Sequence, residues 1–446
     1  MTPLLTFYGD DFTGSSAVME VLSFAGVPTM LFLEPPTPDV LKQYPDLQAI
    51  GVAGLARSKD PSWMRAELPK AFEALKRLEA PVAHYKVCST FDSSPKVGSI
   101  GAAAEIGADV FGSDWIPLIV GAPAIRRYQA FGTLFAGAGA ENHRLDRHPV
   151  MSRHPVTPMQ EADLCLHLSA QTELVTGVVD LAAMKAGQTD HALQSQRDRG
   201  ARIIAIDVID DETLTEAGRV VWQNRRQPVF AVGSQGVEYA LVAHWRHTGA
   251  IAPDFEPQGL SRVDQIFAVS GSCAPTTADQ IAYAEANSFK VLEFDASLAI
   301  DPDSLSKEVA RLCDASIDLL NKGHDVLVAT ARGADDPALH RMAHAIKSSA
   351  LSAGDVNARL GQALGRIVSL VRKKTGQQRI IIAGGDTSGH ALTALGAQAL
   401  SAMTPLAPGA PLCRVHCQDD PDIDGLEVSL KGGQMGAQDF FVAAKG

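Results

Sequence analysis

The sequence contains no long apolar run, no excess of basic residues and few cysteines, and each absence excludes a class of protein. No apolar stretch approaches the roughly 20 residues that cross a bilayer, and the N-terminus lacks the basic start and apolar core of a signal peptide. Acidic residues outnumber basic ones by 51 to 39, so there is no electrostatic footprint for nucleic acid or an anionic membrane. We therefore expect a cytoplasmic protein that binds neither nucleic acid nor membrane.

The six cysteines are scattered, which favours reduced thiols over a disulfide framework. Cys413 and Cys417 flank His416, a grouping that could bind metal. Their spacing is not C-x-x-C and no second ligand pair accompanies them. We interpret both as buried thiols and not as metal ligands.

Two phosphate-binding signatures are also missing. Neither G-x-x-x-x-G-K-[ST] nor G-x-G-x-x-G occurs, which excludes a P-loop and a dinucleotide fingerprint. The acids near the N-terminus do not follow the D-x-D-x-T order of aspartyl-phosphate phosphatases, and no metal-binding histidine set is present. A phosphatase is therefore disfavoured, and phosphate chemistry would have to use other loops.

What the sequence does contain is an alternation of short apolar runs with amphipathic stretches. Before residue 250, strands are predicted at LLTFYG, PTMLFLE, LQAIGVAG, VAHYKV, WIPLIVGAP, ARIIAIDVI and PVFAVGS, with helices between them, for example over 61–78 and 161–171. QIFAVSGS, KVLEF, HDVLVAT and RIIIAGG resume the pattern, and CRVHC and GLEVSLKGG predict two closing strands. We expect two α/β domains with largely parallel sheets, over 1–250 and 266–446, joined by a proline-containing linker at 251–265.

Two adjacent carboxylates, Asp10 and Asp11, end the first predicted strand. In open α/β sheets ligands gather at the carboxyl ends of strands, where loops enter helices. Asp11 or Thr13 could cap a helix starting near Ser15, but one acid suffices for that, so the pair favours a functional site. Such a pair can bind substrate hydroxyls, take a proton from one of them, or hold Mg²⁺.

Other polar loops follow the third and fourth strands. The segment GLARS carries Arg57 and Ser58, which alone would be read as a solvated loop. YKVCSTFDSSPKVGSIG combines a lysine with small polar groups, which suits a polyhydroxylated anion about as well as a hydrated loop. Its candidate residues are Lys86, Ser89, Thr90 and Asp92. Further along, HPVTPMQEAD predicts a helix start with Thr157 as the cap and Pro158 in the first turn.

Three Gly-rich loops follow strands in the second half, in RIIIAGGDTSGHALTALG, FAVSGSCAPTTADQI and SLKGGQMG. Backbone N–H groups and a helix N-terminus there can hold phosphate. One such loop is weak evidence, because glycine also serves turn geometry, whereas three in a small domain favour a nucleotide site. The candidate residues are Ser270, Ser272, Gly384, Gly385, Asp386, Thr387, Ser388, Lys431, Gly432 and Gly433.

Five stretches, GDDFTGSSAVMEVL, YKVCSTFDSSPKVGSIG, HPVTPM, SGSCAPTTADQI and GGDTSGHALTALG, occur in order along nearly the whole chain. With them the sequence resembles the four-carbon acid sugar kinase family, which includes 3-oxo-tetronate, threonate and erythronate kinases. The resemblance implies a sugar-acid-binding N-terminal domain, an ATP-binding C-terminal domain and an active site in the interdomain cleft. It places Asp10, Asp11, Arg57, Lys86 and Asp92 on the substrate side, and Ser270, Ser272, Gly384, Gly385, Asp386, Thr387 and Gly432 on the nucleotide side.

The implied reaction is ATP-dependent phosphorylation of a terminal hydroxyl of a four-carbon sugar acid. Asp10 or Asp11 would take the proton, Arg57 would hold the substrate carboxylate and Lys86 would neutralise the phosphoryl group. Mg²⁺ would bridge the ATP phosphates, with help from Asp386. CSTFDS resembles the 3-oxo-tetronate branch, whereas SSPKVGSIG departs from the STAEGNIG form expected there.

Two alternatives remain open on the sequence alone. One is a kinase of another small hydroxy acid, because the fold fixes neither chain length nor stereochemistry. The other is a non-catalytic sensor of nucleotide and sugar acid, although the paired acids count against it. Exposed helices of such α/β domains would also allow a homodimer.

Overall fold

The structure is a computed structural model that describes residues 2–154, 156–225 and 228–446, and of Asp386 only the backbone. The chain divides into two compact units, Met1–Glu256 and Pro257–Gly446. Each unit is an α/β structure with a mostly parallel sheet, which confirms the fold class expected from the alternation of apolar runs and amphipathic stretches.

The N-terminal unit has a parallel sheet in the order β2-β3-β1-β4-β11-β5-β10-β9, with β6, β7 and β8 in a small antiparallel sheet. Its strands are β1 Leu5–Gly9, β2 Thr29–Phe32, β3 Ala49–Ala53, β4 Val82–Lys86, β5 Ile116–Ile119, β6 Arg127–Ala130, β7 Thr133–Ala138, β8 Glu141–Arg144, β9 Thr176–Val179, β10 Ile203–Ile206 and β11 Val229–Gly233. Its helices are α1 Phe12–Ser23, α2 Pro38–Leu41, α3 Pro61–Lys76, α4 Ile100–Phe111, α5 Leu164–Ser169, α6 Leu181–Lys185, α7 Thr189–Asp198, α8 Asp211–Gln223 and α9 Gly236–His247.

The central strands β1 and β4 are buried along their whole length, as expected for parallel strands covered on both faces. On one face an aromatic cluster joins Tyr85 of β4 to Phe72 of α3, Phe111 of α4 and Phe230 of β11. Tyr8 of β1 stacks on Tyr85 with ring centroids 6.1 Å apart. This packing fixes the two strands whose ends carry the candidate site.

The C-terminal unit has parallel strands in the order β13-β14-β12-β15-β18, followed by β17 and β16, which pair antiparallel. The strands are β12 Phe267–Ser270, β13 Lys290–Glu293, β14 Val326–Ala329, β15 Arg379–Ala383, β16 Ala399–Ala407, β17 Ala410–His416 and β18 Glu427–Lys431. The helices are α10 Pro275–Ala286, α11 Pro302–Asn321, α12 Pro337–Lys347, α13 Ala353–Thr375, α14 Gly385–Leu395 and α15 Phe440–Ala443. Of the helices in the described ranges, none has the length and apolar character needed to span a bilayer.

The helix start predicted at Thr157 and Pro158 is wrong. Helix α5 begins at Leu164, and its N-cap is Asp163, whose carboxylate accepts from the N–H groups of Cys165 and Leu166. Directly before the helix, the Ala162 carbonyl accepts a hydrogen bond from the Leu134 N–H of β7, and the extended Asp163 forms an antiparallel bridge with Thr133. Pairing with a strand that the sequence did not reveal therefore overrides the local capping signal.

Candidate active site

The carboxyl ends of β1, β3 and β4 meet in the N-terminal unit. Gly9 at the end of β1 lies in register with Ala53 of β3 and Lys86 of β4. Beyond the strands, the Asp10 N–H donates to the Lys86 carbonyl at 2.9 Å, and the Arg57 N–H donates to the Asp10 carbonyl at 2.9 Å. Three loops far apart in sequence are thus joined through their backbones.

The side chains of Asp10, Asp11 and Arg57 form one ion cluster at this junction. Arg57 donates from Nη2 to Asp10 Oδ1 at 2.7 Å and from Nε to Asp10 Oδ2 at 3.1 Å. Its Nη1 donates to Asp11 Oδ2 at 2.7 Å, while Asp11 Oδ1 caps α1 by accepting from the Gly14 N–H. Asp11 is therefore both the helix cap and a member of the cluster.

Burial differs sharply between the two carboxylates. The side chain of Asp10 is 2% exposed and that of Asp11 is 28% exposed. Burial raises the pKa of Asp10, and the adjacent Asp11 carboxylate adds to this, whereas Arg57 and Lys86 oppose it. The pKa of Arg57 is raised well above its usual value, because its two carboxylate partners outweigh the effect of burial. Asp11 is thus the more accessible carboxylate of the pair.

Lys86 brings a second cation to the start of α1. Its side chain is buried, and its Nζ donates to the Val87 carbonyl at 2.6 Å. A Cβ atom on Gly14 would lie 2.8 Å from this Nζ and 2.5 Å from Asp11 Oδ1. The sequence did not single out Gly14. Because Gly14 has no side chain, it leaves room for both the Lys86 ammonium and the Asp11 carboxylate.

Replacing Gly14 by Ala is expected to reduce turnover at least tenfold, because the added methyl group displaces Asp11 or Lys86. Helix propensity alone would predict the opposite sign for stability, since alanine favours a helix by roughly 1 kcal/mol over glycine. The matched control is Gly354→Ala in the first turn of α13, where the new Cβ meets nothing closer than 3.6 Å. Initial rates and melting temperatures of both variants check this, and a Gly14→Ala enzyme as active as the control would contradict it.

The loop after β4 forms a second polar group in the N-terminal unit. Thr90 donates to Asp92 at 2.7 Å, and the Cys88 thiol lies 3.0 Å from the Thr90 hydroxyl. Burial raises the pKa of Cys88, and Asp92 adds to this, whereas Arg57 and Lys86 lower it. Arg57 of the ion cluster and Lys86 therefore both favour negative charge in this loop.

Two of the predicted substrate residues have different surroundings from the ion cluster. Ser89 accepts a hydrogen bond from Nε of Arg127 at 3.2 Å, a partner that no local pattern in the sequence indicates. Ser58 is exposed and donates to the Leu55 carbonyl within its own turn. The geometry thus brings Asp10, Asp11, Arg57 and Lys86 together, and leaves Ser58 outside that group.

In the C-terminal unit the three Gly-rich loops follow strands β12, β15 and β18, which are neighbours in the sheet. The Gly271 N–H donates to the Ala383 carbonyl at 2.9 Å, and the Gly384 N–H donates to the Lys431 carbonyl at 2.8 Å. Gly384 has φ of 125°, a conformation that favours glycine, directly before α14 begins at Gly385. The loops therefore form one continuous rim that ends at a helix N-terminus.

Side chains on this rim contact backbone groups of the same loops or of the neighbouring loop. A Cβ on Gly271 would lie 2.2 Å from the Thr387 hydroxyl oxygen, so these loops touch. Ser388 donates its hydroxyl to the Gly384 carbonyl at 2.7 Å, which occupies it within α14, and the buried Ser270 Oγ accepts from the Ser272 N–H. The Asp386 side chain lies outside the described part of the structure, so its predicted role stays a prediction.

Lys431 ends β18 and is fully buried without a carboxylate partner in the described ranges. Its Nζ donates to Thr277 Oγ1 and to the Gly432 carbonyl, both at 3.0 Å. Thr277 in turn donates to the Gly433 carbonyl at 2.8 Å and accepts from Ser272. It therefore connects Lys431 and Gly433 to Ser272 in the loop after β12. Burial lowers the pKa of Lys431 to about 8, as expected for an ammonium group that lacks an anion.

The expected thiols are buried at both positions in the C-terminal unit. The Cys417 thiol donates to the Gly396 carbonyl at 3.1 Å and that of Cys413 lies 3.8 Å from the Pro411 carbonyl. Within the described ranges, no three His, Cys, Asp or Glu side chains come close enough together to hold a metal ion.

Comparison with known proteins assigns the two units to one family. Residues 5–241 match a sugar-binding N-terminal domain, and residues 267–441 match a nucleotide-binding C-terminal domain. A 3-oxo-isoapionate kinase from Paraburkholderia graminis is 43% identical over 438 residues, covering 98% of this chain and 93% of the relative. The chain belongs to the four-carbon acid sugar kinase family. The resemblance inferred from the five motifs is confirmed.

A further curated relative and two solved structures also match over nearly the whole chain. A 3-oxo-tetronate kinase from Methylobacterium radiotolerans is 28% identical, covering 99% of this chain and 98% of the relative. A solved structure from Salmonella typhimurium LT2 superposes with a TM-score of 0.77 at 21% identity, covering 99% of this chain and 98% of the other. One from Haemophilus influenzae gives 0.73 at 22% identity, with 99% of each chain covered. At that identity the two structures support the fold alone.

Proposed function

We propose that this protein is a kinase that transfers the γ-phosphoryl group of ATP to a terminal hydroxyl of a 3-oxo sugar acid. The observation that carries the proposal is the 43% identity, over 98% of the chain, to a relative named 3-oxo-isoapionate kinase. Relatives named 3-oxo-tetronate kinase share the 3-oxo acid class at 28% identity. The acid favoured here is 3-oxo-isoapionate, and the departure of SSPKVGSIG from the form expected in the tetronate branch agrees with that choice.

In this proposal each domain binds one of the two substrates. Residues 1–250 bind the sugar acid, residues 266–446 bind ATP, and residues 251–265 connect them. The descriptions of the two matching family models support this division. The polar groups at the carboxyl ends of the strands in each unit support it too, because open α/β sheets bind ligands at that edge.

Asp11 is the proposed general base. Phosphoryl transfer needs an acceptor hydroxyl held in line and relieved of its proton, and a carboxylate within hydrogen-bond reach can do both. Asp11 is the more exposed acid of the pair, and its carboxylate is oriented from one side by Gly14 and from the other by Arg57. Asp10 is too buried for direct contact and acts by fixing Arg57.

The structure favours a role for Arg57 that differs from the one implied by the resemblance. The resemblance implied that it grips the substrate carboxylate, yet three of its five N–H groups already donate to Asp10 and Asp11. We therefore assign Arg57 to orienting the base. Lys86, whose ammonium lies beside the first turn of α1, is assigned to neutralising the charge of the transferring phosphoryl group.

On the nucleotide side, the rim formed by the three Gly-rich loops is proposed to bind the ATP phosphates. Gly385 offers a backbone N–H group at the N-terminus of α14, and Lys431 supplies a positive charge that has no carboxylate partner in the described residues. Mg²⁺ is proposed to enter with ATP, because magnesium in kinases is held largely by phosphate oxygens and water. It would lower the charge of the phosphates during transfer.

The proposal is tested by ADP release from Mg·ATP with a set of sugar acids. The set contains 3-oxo-isoapionate, 3-oxo-tetronate, and the D and L forms of threonate and erythronate. We expect saturable ADP release with a 3-oxo acid, and the highest kcat/KM with 3-oxo-isoapionate. Reactions without acid measure hydrolysis of ATP by water. No release above that background with any acid, together with measurable ATP binding, would contradict the kinase and favour a sensor.

A further inference from the structure

Strand β6 lies across the carboxyl edge of the N-terminal sheet. Arg127 at its start exchanges two backbone hydrogen bonds with Ala122, which follows β5, at 2.8 and 3.1 Å. Gln129 exchanges two more with Val208, which follows β10, at 2.8 and 2.9 Å. The strand therefore sits at the edge where the candidate substrate residues lie.

Buried side chains hold β6 in place. Gln129 is fully buried, and its amide accepts from the Val120 N–H and donates to the Ile206 carbonyl, both at 2.9 Å. The turn after the strand is fixed by Asp207, a fully buried carboxylate that accepts from the N–H groups of Phe131 and Gly132. These hydrogen bonds to buried side chains fix the position from which Arg127 projects.

The Arg127 guanidinium is partly buried and has no anionic partner among the described residues. Its Nε donates to Ser89 Oγ at 3.2 Å, and its Nη1 to the carbonyls of Ile125 and Arg126, also at 3.2 Å. Nη2 has no partner within the described residues. Burial lowers the pKa of Arg127 and the neighbouring charge of Arg126 adds to this, whereas Cys88 and the Asp92 carboxylate oppose it. A desolvated cation of this kind is stabilised when an anion binds to it.

We propose that Arg127, together with the Ser89 hydroxyl, binds the carboxylate of the sugar acid and so determines that the substrate is an acid. This inference rests on the proposed function. Arg57 is already neutralised by two carboxylates, whereas Arg127 offers free donors in the planar arrangement that matches a carboxylate.

The location of Arg127 relative to the proposed chemistry agrees with this role. Lys86 Nζ donates to the Val87 carbonyl at 2.6 Å, and Ser89, two residues further along the same loop, accepts from Arg127 Nε at 3.2 Å. Cys88 and Ser89 are adjacent in the loop after β4. The carboxylate site and the phosphoryl site therefore lie in one neighbourhood, as a short acid phosphorylated at its far end requires.

The test compares the wild type with Arg127→Ala, Arg127→Lys and Ser89→Ala, using 3-oxo-isoapionate and its uncharged primary amide as probes. For Arg127→Ala we expect the KM for the acid to rise about a hundredfold, with the KM for ATP within about twofold of wild type. Arg127→Lys should recover part of the loss. The wild type should prefer the acid to the amide, and Arg127→Ala should lose that preference. Arg144→Ala, an arginine of β8 that pairs with Asp146, is the control and should behave as wild type.

Calorimetric binding of the acid, without ATP, separates this inference from the proposed function. Binding by the wild type that is lost in Arg127→Ala supports the carboxylate site even if no turnover is seen. Turnover with an unchanged KM for the acid in Arg127→Ala would overturn the site while leaving the kinase intact. An equal loss for acid and amide would also overturn it, because that pattern indicates a structural effect. If Arg127→Ala does not fold, as judged by thermal melting, Arg127→Lys and Ser89→Ala decide by the same acid-to-amide ratio.

Discussion

Asp11→Asn is expected to lower kcat by about a thousandfold and to leave the KM for ATP within about twofold of wild type. General-base catalysis by a positioned carboxylate contributes on the order of 10²- to 10⁴-fold, and the amide cannot take the proton. Asparagine is as good an N-cap as aspartate, so the hydrogen bond from the Gly14 N–H and the start of α1 are retained. The substitution therefore removes the base and keeps the helix, and steady-state kinetics with the acid and with ATP measure the result.

The control for this prediction is Asp180→Asn. Asp180 caps α6 by accepting from the Ala183 N–H at 2.8 Å, and it has no ion-pair partner among the described residues. Asp180→Asn should have the melting temperature and the kcat of the wild type. Turnover of Asp11→Asn equal to that of the control would remove Asp11 from the chemistry.

Asp10→Asn provides a second comparison because Asp10 is proposed to position Arg57 and not to touch substrate. An amide at this buried position turns one N–H group toward the guanidinium, which costs stability as well as rate. Its melting temperature should therefore fall more than that of Asp11→Asn, because Asp11 accepts only one hydrogen bond from Arg57 and its carboxylate is 28% exposed. Two variants with the same melting temperature would contradict this division of roles.

The fold could be predicted from the sequence where local patterns decide it. Buried parallel strands appear as continuous apolar runs, and those at β1, β4 and β15 were located within one or two residues. The short strands β6 to β8 were missed, because half-buried strands of a small antiparallel sheet carry only a weak period of two. Arg127, which lies on β6, was missed with them.

The candidate site, too, could be predicted from the sequence only in part. Asp10 and Asp11 could be recognised because they are adjacent in sequence and one of them is more than a helix cap requires. Their ion pair with Arg57 joins residues 46 and 47 positions apart, a distance that no local pattern spans. Sheet order decides which loops become neighbours, and a crossover helix hides that order from the sequence. The sequence therefore indicated the residue types, and the structure supplied their partners.

Lys431→Met is expected to raise the KM for ATP about a hundredfold and, at pH 7, to raise the melting temperature of the free enzyme. The lysine is fully buried next to Gly432 and Thr277 and has no carboxylate partner in the described part of the chain, so its charge opposes folding until a phosphate binds. A charge-assisted hydrogen bond to phosphate is worth roughly 2–3 kcal/mol, which corresponds to the expected change in KM. A KM for ATP equal to wild type would contradict the assignment of Lys431 to the nucleotide site.

The effect of Lys431→Met on stability should depend on pH, which a purely steric effect of the substitution would not. The folded-state pKa of Lys431 is about 8, whereas an unfolded lysine titrates near ~10.4. Between these values the unfolded chain binds a proton that the folded chain does not, so the contribution of Lys431 to stability increases as the pH rises. The stability advantage of Lys431→Met should therefore be largest below pH 8 and should shrink toward pH 10. Lys322→Met, at an exposed lysine paired with Asp318, is the control and should show no such trend in thermal melts at pH 7, 8, 9 and 10.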